Sequence, residues 1–194
     1  MTVLREFSLD RMVDAVEAVR SRLLRATAAL EAAAVPYTVV GGNAVAAWVS
    51  RVDRAAVRNT QDVDILLRRA DFPAARAALE AAGFVHAATL DMEMFLDGPY
   101  AGPRDAVHIV FANEKVHPPE PLPAPDVEPY EQADAYRIST LENLVKMKLT
   151  AYRLKDRVHL QDLLAVGLID LNWVDRVPVE LRTRLEEVLA NPKG

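Results

Sequence analysis

Val39-Val40-Gly41-Gly42-Asn43-Ala44 and, about twenty residues later, Arg58-Asn59-Thr60-Gln61-Asp62-Val63-Asp64-Ile65-Leu66-Leu67 are the stretches that decide the fold. A strand that runs into Gly-Gly lets backbone N–H groups approach an anion, and a helix that follows adds its positive end. Asp62 and Asp64 stand at i and i+2 of a strand and so point the same way. At about 5 Å and an effective dielectric near 20, two ionised carboxylates repel by roughly 3 kcal/mol, so the pair calls for a cation. Mg²⁺ carrying a triphosphate supplies one.

Outward from this pair, the chain alternates helix and strand, the pattern of an α/β protein. Apolar residues at Met12, Val13, Val16, Val19, Leu23, Leu24 and Leu30 predict one long amphipathic helix from Leu9 to Ala34, ended by Pro36. Tyr37 to Val40 reads as a buried strand, Asn43 to Ser50 as a helix with Asn43 as its cap, and Asp62 to Leu67 as a second strand. A helix is expected from Phe72 to Ala82, with Pro73 in its first turn and Gly83 at its end. Phe84–Ala88, Met92–Leu96 and Ala106–Phe111 are further strands of the same sheet. From His117 to Pro129 six prolines fall within thirteen residues, which excludes regular helix or a central strand and reads as an extended connector. The expected division is therefore a core with its N-terminal helix over 1–116, the connector over 117–129, and a helical C-terminal region over 130–194. In that last region Ser139-Thr140-Leu141-Glu142 has capping-box spacing ahead of a helix reaching Leu154. Further helices are expected near Val158–Ala165 and Val179–Leu189.

Composition narrows the chemistry. The 194 residues are 51% hydrophobic and 26% charged, as in a folded globular protein. With no cysteine, disulfides, thiolate zinc sites and cysteine nucleophiles are excluded, and any metal must be held by carboxylate or histidine. His86, His117 and His159 lack zinc-motif spacing. A net charge of −5 argues against a broad nucleic-acid footprint, yet Arg51, Arg54, Arg58, Arg68 and Arg69 flank the acidic pair. Lys146, Lys148, Arg153, Lys155 and Arg157 form a second basic cluster. No apolar run is long enough to span a bilayer, and Met1 to Glu6 does not resemble the start of a signal peptide. A cytoplasmic protein with no membrane partner is expected.

Taken singly, neither motif is specific. Gly-Gly also serves ordinary strand-to-helix turns, no Gly-x-Gly-x-x-Gly or Gly-Lys-Ser/Thr is present, and Asp-x-Asp occurs on solvated strand faces. Together, a glycine turn followed by Thr60-x-Asp62-x-Asp64 resembles the nucleotidyltransferase superfamily with the DNA polymerase β-type fold. Gly41 to Trp48 and Arg58 to Ile65 resemble in particular the minimal nucleotidyltransferases, including AbiEii-type proteins of abortive-infection and toxin–antitoxin systems. Lys146 to Leu164 is similar to the lysine-bearing helix and the following helix of such proteins. The resemblance covers roughly Tyr37 to Leu164 and implies a mixed sheet flanked by helices, with a C-terminal helical region.

It also implies a site. Gly41, Gly42 and Asn43 would hold the β- and γ-phosphates of a nucleoside triphosphate, and Asp62 and Asp64 would bind Mg²⁺ or Mn²⁺. The implied reaction is in-line displacement at the α-phosphorus with loss of pyrophosphate. The acceptor would be a hydroxyl on an RNA 3′ end, a protein or a small molecule, and a cognate toxin or antitoxin protein is an implied partner. A third carboxylate normally completes such a site. Here the corresponding strand carries His108, opposite in face to Val107, Ile109 and Phe111. Three readings stand: His108 is the catalytic base, Glu93 or Asp105 replaces the acid, or turnover is lost and a nucleotide- or partner-binding module remains. Lys148, at the edge of its helix's apolar face, either snorkels to solvent or meets phosphate. Arg58 and Thr60 either meet phosphate or order the strand mouth. The remaining alternative is an α/β protein whose glycines and aspartates serve only its turns.

Overall fold

The structure, a computed structural model, describes residues 8–89 and 92–191; the Met1 to Glu6 segment read for a leader lies outside them. Six helices and seven strands follow in chain order among the described residues: α1 Leu9–Ala32, β1 Tyr37–Val40, α2 Gly41–Ser50, β2 Val63–Leu67, α3 Phe72–Ala81, β3 Val85–Ala88, β4 Glu93–Leu96, β5 Ala106–Phe111, β6 Tyr130–Gln132, β7 Arg137–Ser139, α4 Leu141–Ala151, α5 Leu154–Ala165 and α6 Val179–Ala190. The strands form one mixed sheet in the order β3-β4-β5-β2-β1-β7-β6. β2 runs antiparallel to β1 and parallel to β5, while β1 and β7 are parallel. Among the described residues no helix is long and apolar enough to cross a membrane.

Alternation along the central strands divides the sheet's two faces. Tyr37, Val39, Ile65, Leu67, Phe95 and Val107 are almost wholly buried and join one apolar core with residues of all six helices, such as Leu30, Val45, Leu79, Leu144, Leu160 and Leu181. Each such aliphatic or aromatic side chain contributes on the order of 2 kcal/mol through removal from water. The register places Val40 opposite Asp64 and Asp64 beside His108, so these three belong to the other face. That face is closed at one end by a small cluster in which Ala124 and Val127 pack with Val40, Leu66 and Ala112.

Several expectations shift. The proline-rich stretch is not simply a connector: it lies over the sheet as a strap, closed at its base by Asn113 N–H donating to the Ala124 carbonyl (3.0 Å) and Ala124 N–H to that of Glu114 (2.8 Å). The region from 130, expected to be helical, opens with β6 and β7, which extend the same sheet past β1. Asn43 is not a helix cap, because α2 begins two residues earlier at Gly41 and its N-cap is Val40. The cap of α4 is Thr140, whose hydroxyl accepts from Asn143 N–H (3.3 Å), while Ser139 ends β7. Asp62 lies just before β2 instead of inside it, and α5 begins at Leu154, four residues ahead of the expected Val158.

Candidate active site

The glycine turn and the acidic stretch prove to be two halves of one packed unit. Gly41 has φ +67°, a backbone conformation that disfavours a side chain, and a Cβ there would lie 1.9 Å from Asp64 Oδ2. A Cβ on Gly42 would lie 2.6 Å from Thr60 Oγ1. The pair is glycine because Asp64 and Thr60 occupy the space that side chains would take. Thr60 Oγ1 in turn accepts from Asp62 N–H (3.3 Å), and Asn43 Nδ2 donates to the Asp62 carbonyl (2.8 Å). These contacts fix the mouth of β2 against the first turn of α2 and set both aspartates beside that helix's positive end.

In front of the unit opens a cleft of roughly 580 Å³. Gly41, Gly42, Thr60, Asp62, Asp64 and His108 line its sheet side, and Lys148, Arg153, Lys155 and His159 line its helical side. Six of the sequence-predicted residues with Lys148 thus meet at one place. Asn43 and Arg58 do not: both border a separate, smaller groove, Asn43 with its amide on the Asp62 carbonyl and Arg58 with its guanidinium on Asp162 (2.8 Å). Hydrogen bonding to Asp162 raises the Arg58 pKa further and ties the loop before β2 to α5.

Lys148 neither snorkels nor points freely into the cleft. It is 5% exposed and its ammonium lies 3.0 Å from Asp156 Oδ1, while Arg153 Nε donates to Oδ2 of the same carboxylate (2.8 Å). Burial would raise the Asp156 pKa, but bonds from Arg153 and Lys148 outweigh it and hold the carboxyl below its ordinary value. The cluster is therefore a charged core that stiffens the α4–α5 corner. His159 beside it is kept neutral: burial first, then Lys148, brings its pKa down to about 4, and its Nδ1 is buried with no hydrogen-bond partner.

Glu93 opposes Ile109 on β5, so it faces away from His108 and bonds His86 at 2.6 Å. Asp105 bonds the buried Arg22 at 3.0 Å, which also binds Asp97. Neither lines the cleft. His108 donates from Nε2 to the Pro103 carbonyl (3.1 Å), leaving Nδ1 3.8 Å from Asp64 Oδ1. Asp64 raises the imidazole pKa against the opposing effect of burial, and the Pro103 carbonyl adds to the rise. The protonated ring is thus steadied by Asp64 relative to an isolated imidazole.

Glu120, on the strap, is the carboxylate the sequence reading passed over; it lines the cleft and accepts from Val116 N–H (3.2 Å). Lys155, read only as one of a basic cluster, and His159, set aside for lacking metal-motif spacing, line the cleft as well. Their i, i+4 spacing, continued by Asp162 at i+7, places all three along one stripe of α5, and that periodicity was available in the sequence.

Two hard oxygen donors at the mouth of a strand fit a single Mg²⁺ that arrives with phosphate oxygens, the way this ion is commonly held with one or two carboxylates. Among the described residues no cluster of three or more acidic or histidine side chains is placed to hold a metal. The donor set therefore fits one ion in company with a triphosphate better than a cage made by the protein alone.

No protein-family model and no curated protein matches the chain. Among solved structures, the antibiotic-resistance factor ANT(2″)-Ia in solution aligns over 92% of this chain and 94% of its own, at 14% identity and a TM-score of 0.55. The same factor in complex with adenylyl-2″-tobramycin aligns over 91% and 97% at 14% identity and a TM-score of 0.48. An H. pylori protein provisionally described as a nucleotidyltransferase aligns over 96% and 79% at 13% identity and 0.49. The first of these carries the comparison: the chain shares its fold with that resistance factor, here a mixed sheet flanked by helices with further helices toward its C-terminal end.

Proposed function

We propose that this protein binds a nucleoside triphosphate with Mg²⁺ or Mn²⁺ in the cleft and transfers its nucleoside monophosphate to a hydroxyl acceptor. The observation that carries the reading is the interlock of Gly41 with Asp64, which puts a bare backbone turn, a helix N-terminus and two aspartates at one cleft wall opposite Arg153 and Lys155. Backbone N–H groups of the α2 turn would receive phosphate oxygens, with Arg153 and Lys155 neutralising further charge from the facing wall. Asp62 and Asp64 would hold the divalent ion, which when bound screens the phosphates and steadies the leaving pyrophosphate. In the transfer, the acceptor oxygen bonds the α-phosphorus as the bond to the bridging oxygen of pyrophosphate breaks. The acceptor's proton must leave. Nδ1 of His108 is the nearest base when the ring is neutral, with its one hydrogen on Nε2 held by the Pro103 carbonyl, and would take that proton to become the imidazolium facing Asp64.

The acceptor classes to screen are an RNA 3′ end, a protein side chain and a small molecule, and the biological setting we favour is a toxin–antitoxin or phage-defence pair with a cognate protein. Incubation of purified protein with α-labelled nucleoside triphosphates, Mn²⁺ and cell extract should move label to an acceptor. Equal transfer by Asp64→Ala would sink the reading.

A second reading rests on His108 standing where a third carboxylate was expected: a module that binds nucleotide or partner without turnover. Under it, calorimetry would show Mg²⁺-dependent triphosphate binding while no acceptor takes label.

A further inference from the structure

The cations on the helical wall of the cleft do not have equivalent partners. Lys148 and Arg153 share the buried Asp156. Lys155 reaches across the cleft instead, with Nζ 3.2 Å from Asp62 Oδ2, one of the two carboxylates assigned above to the divalent ion. A divalent ion on Asp62 and an ammonium on the same carboxylate repel each other, so one excludes the other or forces it to move.

We propose that Lys155 is the built-in counter-ion of Asp62, exchanged for the divalent ion only when a triphosphate arrives to receive its ammonium. This inference rests on the nucleotide-and-metal reading of the cleft. Its geometry permits the exchange. The Lys155 and Asp62 side chains are 53% and 38% exposed, so the flexible lysine stem is free to swing within the cleft it lines. α5 need not move with it, because Arg58 on the loop before β2 holds Asp162, two turns further along the same helix, at 2.8 Å. Metal alone must displace Lys155 with nothing to take its charge. Metal with triphosphate gives the ammonium new oxygen partners, so each ligand favours the other, and linkage requires the preference to be mutual. Lys155 is thus a positioning residue that makes metal binding conditional on nucleotide.

The test measures Mn²⁺ binding by electron paramagnetic resonance on the full chain, without nucleotide and with a triphosphate analogue carrying a methylene bridge between the α- and β-phosphorus. Wild type, Lys155→Met, Lys155→Arg and Asp62→Asn are compared. Exposed ion pairs are weak, so Lys155→Met should bind Mn²⁺ alone about two- to fivefold more tightly. It should bind the analogue more weakly, so that the enhancement of Mn²⁺ binding by the analogue shrinks, and Lys155→Arg should restore the wild-type pattern. Mn²⁺ affinity in Lys155→Met equal to or below that of wild type would overturn the proposal while leaving the metal site standing, provided Asp62→Asn weakens Mn²⁺. If Asp62→Asn leaves Mn²⁺ binding unchanged with and without analogue, the metal site itself is wrong and the counter-ion role falls with it.

Discussion

Asp64 and Ile65 are neighbours in β2 with opposite duties. Ile65 is fully buried in the core shared by all six helices, whereas Asp64 projects from the other face into the cleft, pressed against Gly41. Through the same strands, one side of the sheet carries the main core, while the other carries the charged cleft beside the small apolar cluster of Val40 and Leu66. The pleat separates the two tasks at intervals of a single residue, so the site can be changed without entering the core, and the reverse.

Substitutions can try to break this separation. The largest effect is expected from Asp64→Ala, which should cut the proposed nucleotidyl transfer by roughly two to three orders of magnitude, the loss of about 3–4 kcal/mol of charge stabilisation, with little change in the urea midpoint. A midpoint that fell with activity would show that the two faces are not separate. Ile65→Ala reverses the test: truncation at a fully buried site should cost roughly 2–5 kcal/mol in denaturant unfolding, while protein that remains folded keeps its nucleotide affinity. Gly41→Ala lies on the seam between the faces. Its φ of +67° and the approach to Asp64 predict both a stability loss of about 1–3 kcal/mol and loss of triphosphate binding, measured by thermal melts with and without nucleotide.

The smallest effect sharpens the comparison through pH. His159 has its pKa brought down to about 4 by burial and Lys148, from an ordinary 6.5. The unfolded chain therefore takes up a proton at this residue at a higher pH than the folded one. Its stabilising contribution is whole above pH 6.5, declines as pH falls, and is exhausted once pH passes through about 4. Urea midpoints measured between pH 7 and 4 should drop less in His159→Gln than in wild type. An identical slope would remove His159 from the account of acid sensitivity.

Much of this was legible in the sequence, for stated reasons. Long apolar periodicity gave α1, a short apolar run between Pro36 and Gly41 gave β1, and the face of His108 opposite Val107 and Ile109 could be read from β5, whereas the i, i+2 reading of the carboxylates fails in part because Asp62 precedes β2. β6 and β7 were not legible, because three residues hold no alternation to read and Tyr130–Gln132 is exposed throughout. The partners of the charged residues were hidden too. Lys155 meets Asp62 across 93 positions of chain, and Arg22 meets Asp105 across 83, separations at which no local pattern survives. The glycines show the middle case: their presence was visible, while the cause, Asp64 and Thr60 packed against their α-carbons, required the fold.

The strap offers a consequence of another kind. Its segment from 115 to 123 leaves and rejoins the body at one point, pinned by the paired backbone bonds between 113–114 and 124, and it brings Val116, Glu120 and Pro123 to the cleft. A loop whose ends are fastened side by side can be lengthened at slight entropic cost and without altering any strand register. This wall of the cleft is therefore a replaceable part, and exchanging residues 115–123 is a route to a differently shaped cleft on an unchanged sheet.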